Sequence, residues 1–290
     1  MKDALKKLVE FLFNGHASSV DSVTKDILDF SAGTSQVVSD ISDFAVMPVA
    51  LTVLAIVMMV ELNRKASHIE ADHQTGVKLI AAVIFKYIIL VMAVKNSGIL
   101  LNAIRALVAN VMGDPHLDPE GAGVSVNENG AAVSAFQASI DKASSVDQVG
   151  MLIFLLIPFL VTLAAKATLM VVVLLRFAEL YILTAFSPLP FAFLGNDETK
   201  SFGTSYLRKY VEVCIHGVCI IVSIQVYKGI IATAAGSKSN HSFLEVTSIG
   251  SDDPLAWLVG NYLPILITPV ILMMVVLGSG KIAKAIAGNS

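Results

Sequence analysis

Hydrophobic positions in this chain gather into long runs that carry no charge: Phe44 to Val60, Met151 to Ala165, Ala167 to Leu175 and Leu263 to Leu277. A charge-free stretch approaching the roughly 20 residues that cross a bilayer predicts a spanning helix. A soluble core would alternate these positions with a polar face, and the runs do not. The pattern predicts an all-α integral membrane protein.

Between and before the runs the pattern changes. Residues 1–43 form a polar arm in which Leu5, Leu8, Val9 and Leu12 share one helical face while Lys6, Lys7 and Glu10 lie elsewhere. Such an amphipathic helix lies on a membrane surface or against partner helices. Glu10 interrupts the apolar run and no A-x-A site follows, so no signal cleavage is expected. The first span, Phe44 to Val60, has Pro48 near its start, where proline is tolerated, and ends in Glu61, Asn63, Arg64 and Lys65. A second span runs from about Val77 to Val94 with Lys86 at mid-depth, and Asn96, Ser97 and Gly98 break it. Beyond the break, Leu100, Leu101, Ile104, Leu107, Val108 and Val111 recur at helical spacing opposite Asn102, Arg105 and Asn110. That piece is amphipathic, and residues 44–112 thus hold two membrane segments and a surface or bundle helix.

Residues 113–148 read as an extracytoplasmic loop, with Pro115, Pro119, a glycine-rich stretch at Gly121 to Gly130 and six acids against Lys142 alone. A membrane bundle is expected over 149–280 and a cytoplasmic tail over 281–290. Within the bundle, Pro158, Lys166, Arg176, Glu179, Pro188 and Pro190 interrupt the apolar region up to Leu194. Further spans are expected at Val211 to Ala234 and about Leu255 to Leu277.

Lysine and arginine near membrane ends mark the cytoplasmic side. They cluster at 61–78, at 195–210 and in the tail with Lys281 and Lys284, which puts the N-terminus outside and the C-terminus inside. That orientation needs an odd number of crossings between 148 and 195, and about 46 residues are too few for three. The expectation is five crossings. Val149 to Leu175 spans and reaches the cytoplasmic face at Arg176, and Phe177 to Leu194 dips in and returns. Ser187, Pro188 and Pro190 form the break of this re-entrant segment, because closely spaced prolines cannot continue a helix. Six crossings, with the C-terminus outside, is the alternative.

Composition agrees: of 290 residues 55% are hydrophobic and only 15% charged, and the mean hydropathy is +0.75, outside the soluble range. A net charge of −3 gives no bulk attraction to nucleic acid or anionic lipid. Cys214 and Cys219 lie in one apolar run and read as reduced, buried thiols. His216 beside them reads as a buried helix residue.

Ionisable groups in a membrane cost a few kcal/mol each, so Lys86, Lys166, Arg176, Glu179 and Lys228 require partners or water. The functional reading is a polar lining for a conduit, with Arg176 and Glu179 neutralising each other at i and i+3. The plainer reading is that Lys166 and Lys228 snorkel to an interface. His68, Glu70, Asp72 and His73 have metal-binding chemistry in no defined spacing, so no metal is expected. No nucleotide-binding, metalloprotease, serine-hydrolase or dinucleotide motif is present, so neither a cofactor nor an enzyme activity is expected.

Two stretches carry a resemblance. RFAELYILTAFSPLPFAFLGN (Arg176 to Asn196), continued by SFGTSYLRKYVEVCIHGVCIIVSIQVYKGI (Ser201 to Ile230), and IFKYIILVMAVKNSGILLNAI (Ile84 to Ile104) resemble the TrbL family. These are polytopic subunits of conjugative type IV secretion systems, equivalent to the sixth VirB protein. The resemblance is closest to the compact form in conjugative elements of Gram-positive bacteria. It implies an outside N-terminus, about five crossings, a central outer loop and a homo-oligomeric, ring-like assembly in the cytoplasmic membrane. It also implies contact with the ATPases and bitopic membrane subunits of the machine, and a place on the route of transferred single-stranded DNA. The outer loop here is short and acidic, so a protein partner suits it better than a phosphate backbone. The function so implied is a non-enzymatic channel or scaffold subunit. A small-solute transporter, for which no internal duplication is visible, and a purely structural membrane anchor are the rivals.

Overall fold

The computed structural model describes residues 2–14, 32–66, 73–112, 140, 145–236, 258–260 and 262–288. Among these residues every element is helical: α1 (Lys2–Asn14), α2 (Ala32–Asp40), a π-helical turn (Ile41–Val46), α3 (Met47–Ala66), α4 (His73–Lys95), α5 (Ser97–Met112), α6 (Ser145–Ala185), α7 (Pro188–Phe193), α8 (Lys200–Gly236) and α9 (Tyr262–Ile286). Most of the outer loop (113–139 and 141–144), the loop near residue 250, and His68, Glu70 and Asp72 fall outside the described residues, as do the side chains of His73 and Lys228.

Four helical stretches are long and apolar enough to cross a membrane: Gly33–Ala66, Asp147–Ala185, Lys200–Tyr227 and Leu258–Ile286. The pair Lys78–Lys95 and Ser97–Met112, bent by 66° at Asn96, makes a fifth if it counts as one broken span. The chain is therefore an all-α, multi-pass membrane protein. Its exposed faces are as apolar as its core, with Phe85, Ile88, Ile89 and Met92 of α4 and Ile153, Ile157 and Leu160 of α6 all turned outward. Lipid, unlike water, sets no penalty on such faces.

The first span begins earlier than the sequence suggests. The helix is continuous from α2 through α3, so Pro48 lies in its interior rather than its first turn. Proline there collides with the carbonyl four residues back, which is Phe44, and the widened π-helical turn covers that residue.

α6 is the second departure. It runs for 41 residues without interruption, about 61 Å at 1.5 Å per residue, roughly twice the hydrocarbon thickness. Lys166 and Arg176 lie inside it, and the helix does not turn at Arg176 as expected. Charge alone breaks no helix, and Phe177 to Ala185 contains neither glycine nor proline. A single unbroken helix also leaves no room for the two crossings over 149–194 that the six-crossing alternative requires.

The chain divides into two compact units. The first comprises Met1–Thr24, Val111–Leu175 and Gly217–Ile282. In it α6 and α9 pack in parallel: Phe154 meets Tyr262 edge-on at 5.6 Å, and further along both helices the Thr168 hydroxyl reaches the Met273 sulfur at 3.4 Å. Parallel packing of α6 and α9 is what one intervening crossing by α8 produces. The apolar face of α1 is covered by the chain itself, with Leu5 and Leu12 buried among Ile140, Met151, Leu155, Leu258 and Ile265.

The second unit comprises Lys25–Asn110, Arg176–His216 and Ala283–Ser290. Here α7 packs against α3, α4 and the π-helical turn. The end of α6 and the start of α8 run antiparallel, because the Tyr206 hydroxyl donates to the Leu183 carbonyl and Lys209, one turn on, reaches back to Glu179 at 3.9 Å.

Candidate functional site: the broken segment and its polar clamps

The chain reverses at Phe186–Thr199, and the sequence explains how. The last bonds of α6 tighten from Phe186 N to Ile182 O, 3.2 Å, to Ser187 N to Thr184 O, also 3.2 Å. Pro188 and Pro190 then supply no donors. Both sit in the first turn of α7, where backbone N–H groups have no partner within the helix, so the same prolines that stop α6 start α7. The turn into α8 is built by side chains: Asn196 Oδ1 accepts Glu198 N–H at 3.0 Å, and the Thr199 hydroxyl donates to the Phe193 carbonyl at 2.8 Å.

α7 is short and buried, with Pro188, Pro190, Phe191 and Ala192 all covered. Contacts with α4 and the start of α5 bracket it. At its beginning the Ser187 hydroxyl meets that of Ser97 at 3.2 Å, both fully buried. Beyond its end, the Tyr87 hydroxyl lies 3.3 Å from the Gly195 carbonyl. α7 therefore lies alongside the later half of α4, antiparallel to it, and the Ser97 contact sits at the bend between α4 and α5.

The second clamp continues into charge. The Tyr87 hydroxyl donates to Glu61 Oε2 at 2.9 Å, sharing its proton with the Gly195 carbonyl. Lys86 Nζ donates to both Glu61 oxygens, at 3.1 and 3.2 Å. Glu61 is 13% exposed and Lys86 39%. Arg64 and Glu198 add an ion pair at 3.0 Å, exposed on both sides and therefore weak.

Glycines permit these approaches. A Cβ on Gly195 would stand 2.9 Å from the buried ring of Tyr87. A Cβ on Gly203, at the start of α8, would stand 2.6 Å from the Pro190 carbonyl oxygen.

The polar residues singled out in the sequence separate into groups. Lys86 joins the clamp through Glu61. Glu179 and Arg176 lie at the end of α6, where Glu179 pairs with Lys209, itself 2.8 Å from the largely buried Glu212. Arg176 is buried with its guanidinium 5.3 Å from the Phe177 ring centroid. Lys166 belongs to the other unit, its ammonium 5.2 Å from the Phe11 ring centroid, a cation–π distance. Ser187, Pro188 and Pro190 form the break. Cys214 and Cys219 are buried thiols. Among the described residues no group of three or more His, Cys, Asp or Glu side chains could hold a metal.

Sequence reasoning placed Glu61 at the end of a span and Ser97 in a break without giving either a role, and it missed Tyr87, Gly195 and Gly203. A signal existed for the first: Glu61 is the one acid between Asp43 and Glu70, and Lys86 the one charge between Lys78 and Lys95. A lone acid and a lone base on consecutive membrane helices are natural partners.

A family model described as TrbL/VirB6 plasmid conjugal transfer like protein matches residues 14–188 of the 290-residue chain, more than half of it. No curated protein matches the chain.

Proposed function

Because the chain belongs to the TrbL/VirB6-like family of plasmid conjugal transfer proteins, and so is a multi-pass membrane subunit of a conjugal transfer system, we propose that it forms part of the translocation route for single-stranded DNA across the cytoplasmic membrane. In this reading several copies surround the route in a ring. ATPases and bitopic subunits of the same machine dock on them and supply the energy, and the short acidic outer loop engages a protein.

One observation carries the reading. Lys86 and Glu179 have side chains 39% and 52% exposed on helices whose other outward residues are largely apolar. Charges so placed are costly against hydrocarbon, and they suit a water-filled route or a neighbouring copy. Arg176 belongs to the same unit, buried beside Phe177, and Lys166 is a separate candidate in the other unit. The broken segment at Ser187, Pro188 and Pro190 lies beside α4 within the length of that apolar helix, and protein covers its backbone, as membrane depth demands.

Packing and charge support one orientation. With α6 and α9 parallel and α8 crossing between them, the reversal near Lys200 and the end of α9 with Lys281 and Lys284 share one side. That side is basic, hence cytoplasmic, giving five crossings and an outside N-terminus.

An in-frame deletion of the gene tests the reading. Transfer is expected to vanish while the other membrane subunits still accumulate, and the full chain supplied in trans restores it. Undiminished transfer from the deletion would favour a solute transporter.

A further inference from the structure

We propose that Glu61 is the positioning residue of the broken segment. Its carboxylate neutralises Lys86 and, by holding the Tyr87 hydroxyl, fixes the ring on which Gly195 packs beyond the end of α7.

Three observations on the second unit converge on this carboxylate. Both its oxygens are engaged: Oε2 accepts from Tyr87 at 2.9 Å and from Lys86 at 3.2 Å, and Oε1 accepts from Lys86 at 3.1 Å. Its side chain is more buried than that of the lysine it pairs with, 13% against 39% exposed. Its bond to Tyr87 orients a hydroxyl that also faces the Gly195 carbonyl at 3.3 Å. The Tyr87 ring has no slack, being 2% exposed and packed where a Cβ on Gly195 would overlap it.

The chemistry assigns the roles. Lys86 at membrane depth needs a counter-ion, and among the described residues Glu61 lies within hydrogen-bond distance. A carboxylate accepts without donating, so it accepts the hydrogen bond of the Tyr87 hydroxyl and anchors the phenol, and the ring held this way packs directly on Gly195. Charge-assisted bonds are roughly twice as strong as neutral ones, and a low-dielectric setting strengthens them further. Glu61 thus links α3, α4 and the turn between α7 and α8 through one side chain. The weaker Ser97–Ser187 pair, neutral on both sides, holds the other end of α7. Losing Glu61 frees the Gly195 end first.

Thiol accessibility in native membranes tests this. Cys214 and Cys219 are replaced by alanine, Ala192 in the middle of α7, fully buried, is changed to cysteine, and N-ethylmaleimide labelling is timed in the assembled protein. Glu61→Ala is expected to raise the labelling rate roughly tenfold, the factor set by one buried charge-assisted hydrogen bond. Tyr87→Phe, which keeps the ion pair, raises it comparably. Glu61→Gln, which keeps an acceptor for Tyr87, stays near the parental rate. Unchanged labelling in Glu61→Ala at normal protein level overturns the proposal, and so does a rise in Glu61→Ala without one in Tyr87→Phe. If Glu61→Ala fails to accumulate, the contrast between Tyr87→Phe and the parent decides alone. Transfer frequency is the second readout, and it rests on the function proposed above. Raised labelling with undiminished transfer leaves Glu61 in its positioning role and removes the broken segment from the transfer route.

Discussion

Gly203→Val is expected to give a protein that inserts poorly or is degraded, with transfer lost alongside it. The added Cβ alone would sit 2.6 Å from the Pro190 carbonyl oxygen and 2.8 Å from Leu194 Cδ2. A leucine side chain can shift, but the carbonyl belongs to the backbone of α7. Moving it means moving a helix clamped at both ends. Overpacking of this kind costs about 1–3 kcal/mol for an added methylene, and the two methyls of valine add to that. Gly98→Ala is the matched control, because nothing lies within 4 Å of its Cβ. It should accumulate as the parent does, or slightly better, since alanine favours a helix over glycine by up to about 1 kcal/mol. Steady-state level and melting in detergent measure both. Equal stability of the two variants would mean that α7 and α8 do not pack closely at this point.

The second large effect belongs to the prolines. Replacing Pro188 and Pro190 together by alanine restores two N–H donors and removes two ring clashes. α6 is then free to extend through Ser187 into α7. Each interior proline disfavours a continuous helix by about 3 kcal/mol, a bias of more than a hundredfold, so the straightened form becomes competitive. Ser187 then leaves Ser97, and the chain no longer reverses within the length of α4. Transfer should fall at least about twofold, as copies are lost to the straightened form, while membrane insertion, which depends on unchanged apolar runs, stays intact. Transfer at the parental frequency would show that the break is incidental.

The two breaks that organise the second unit could be read in the sequence because their causes are local. Asn96, Ser97 and Gly98 interrupt the second apolar segment, and the prolines stop α6. Other features have no local cause. The helix passes through Arg176 because a buried charge is a matter of partners rather than backbone conformation. Pro48 sits inside a helix because a π-helical turn absorbs the clash, which the one-dimensional pattern does not encode. Tyr87 and Gly195 are 108 residues apart, and what joins them is a space left by a missing Cβ. α1 shows the reverse case: its amphipathic face was evident, but whether lipid, a partner or its own chain covers Leu5 and Leu12 depends on α6 and α9. The candidate lining was legible as a list of charges and not as a site. Lys86 and Glu179 each acquire a counter-ion from another helix, and Lys166 lies in the other unit.

Cross-linking during transfer bears most directly on the claim that this subunit lines the DNA route. A photo-reactive residue is placed at Lys86 or Glu179, and at the exposed, apolar Phe85 for comparison, in cells transferring a marked plasmid. A covalent adduct with the single strand is expected from positions 86 and 179 and not from 85. Absence of any adduct from these positions, while other subunits of the same machine cross-link to the strand normally, would contradict it.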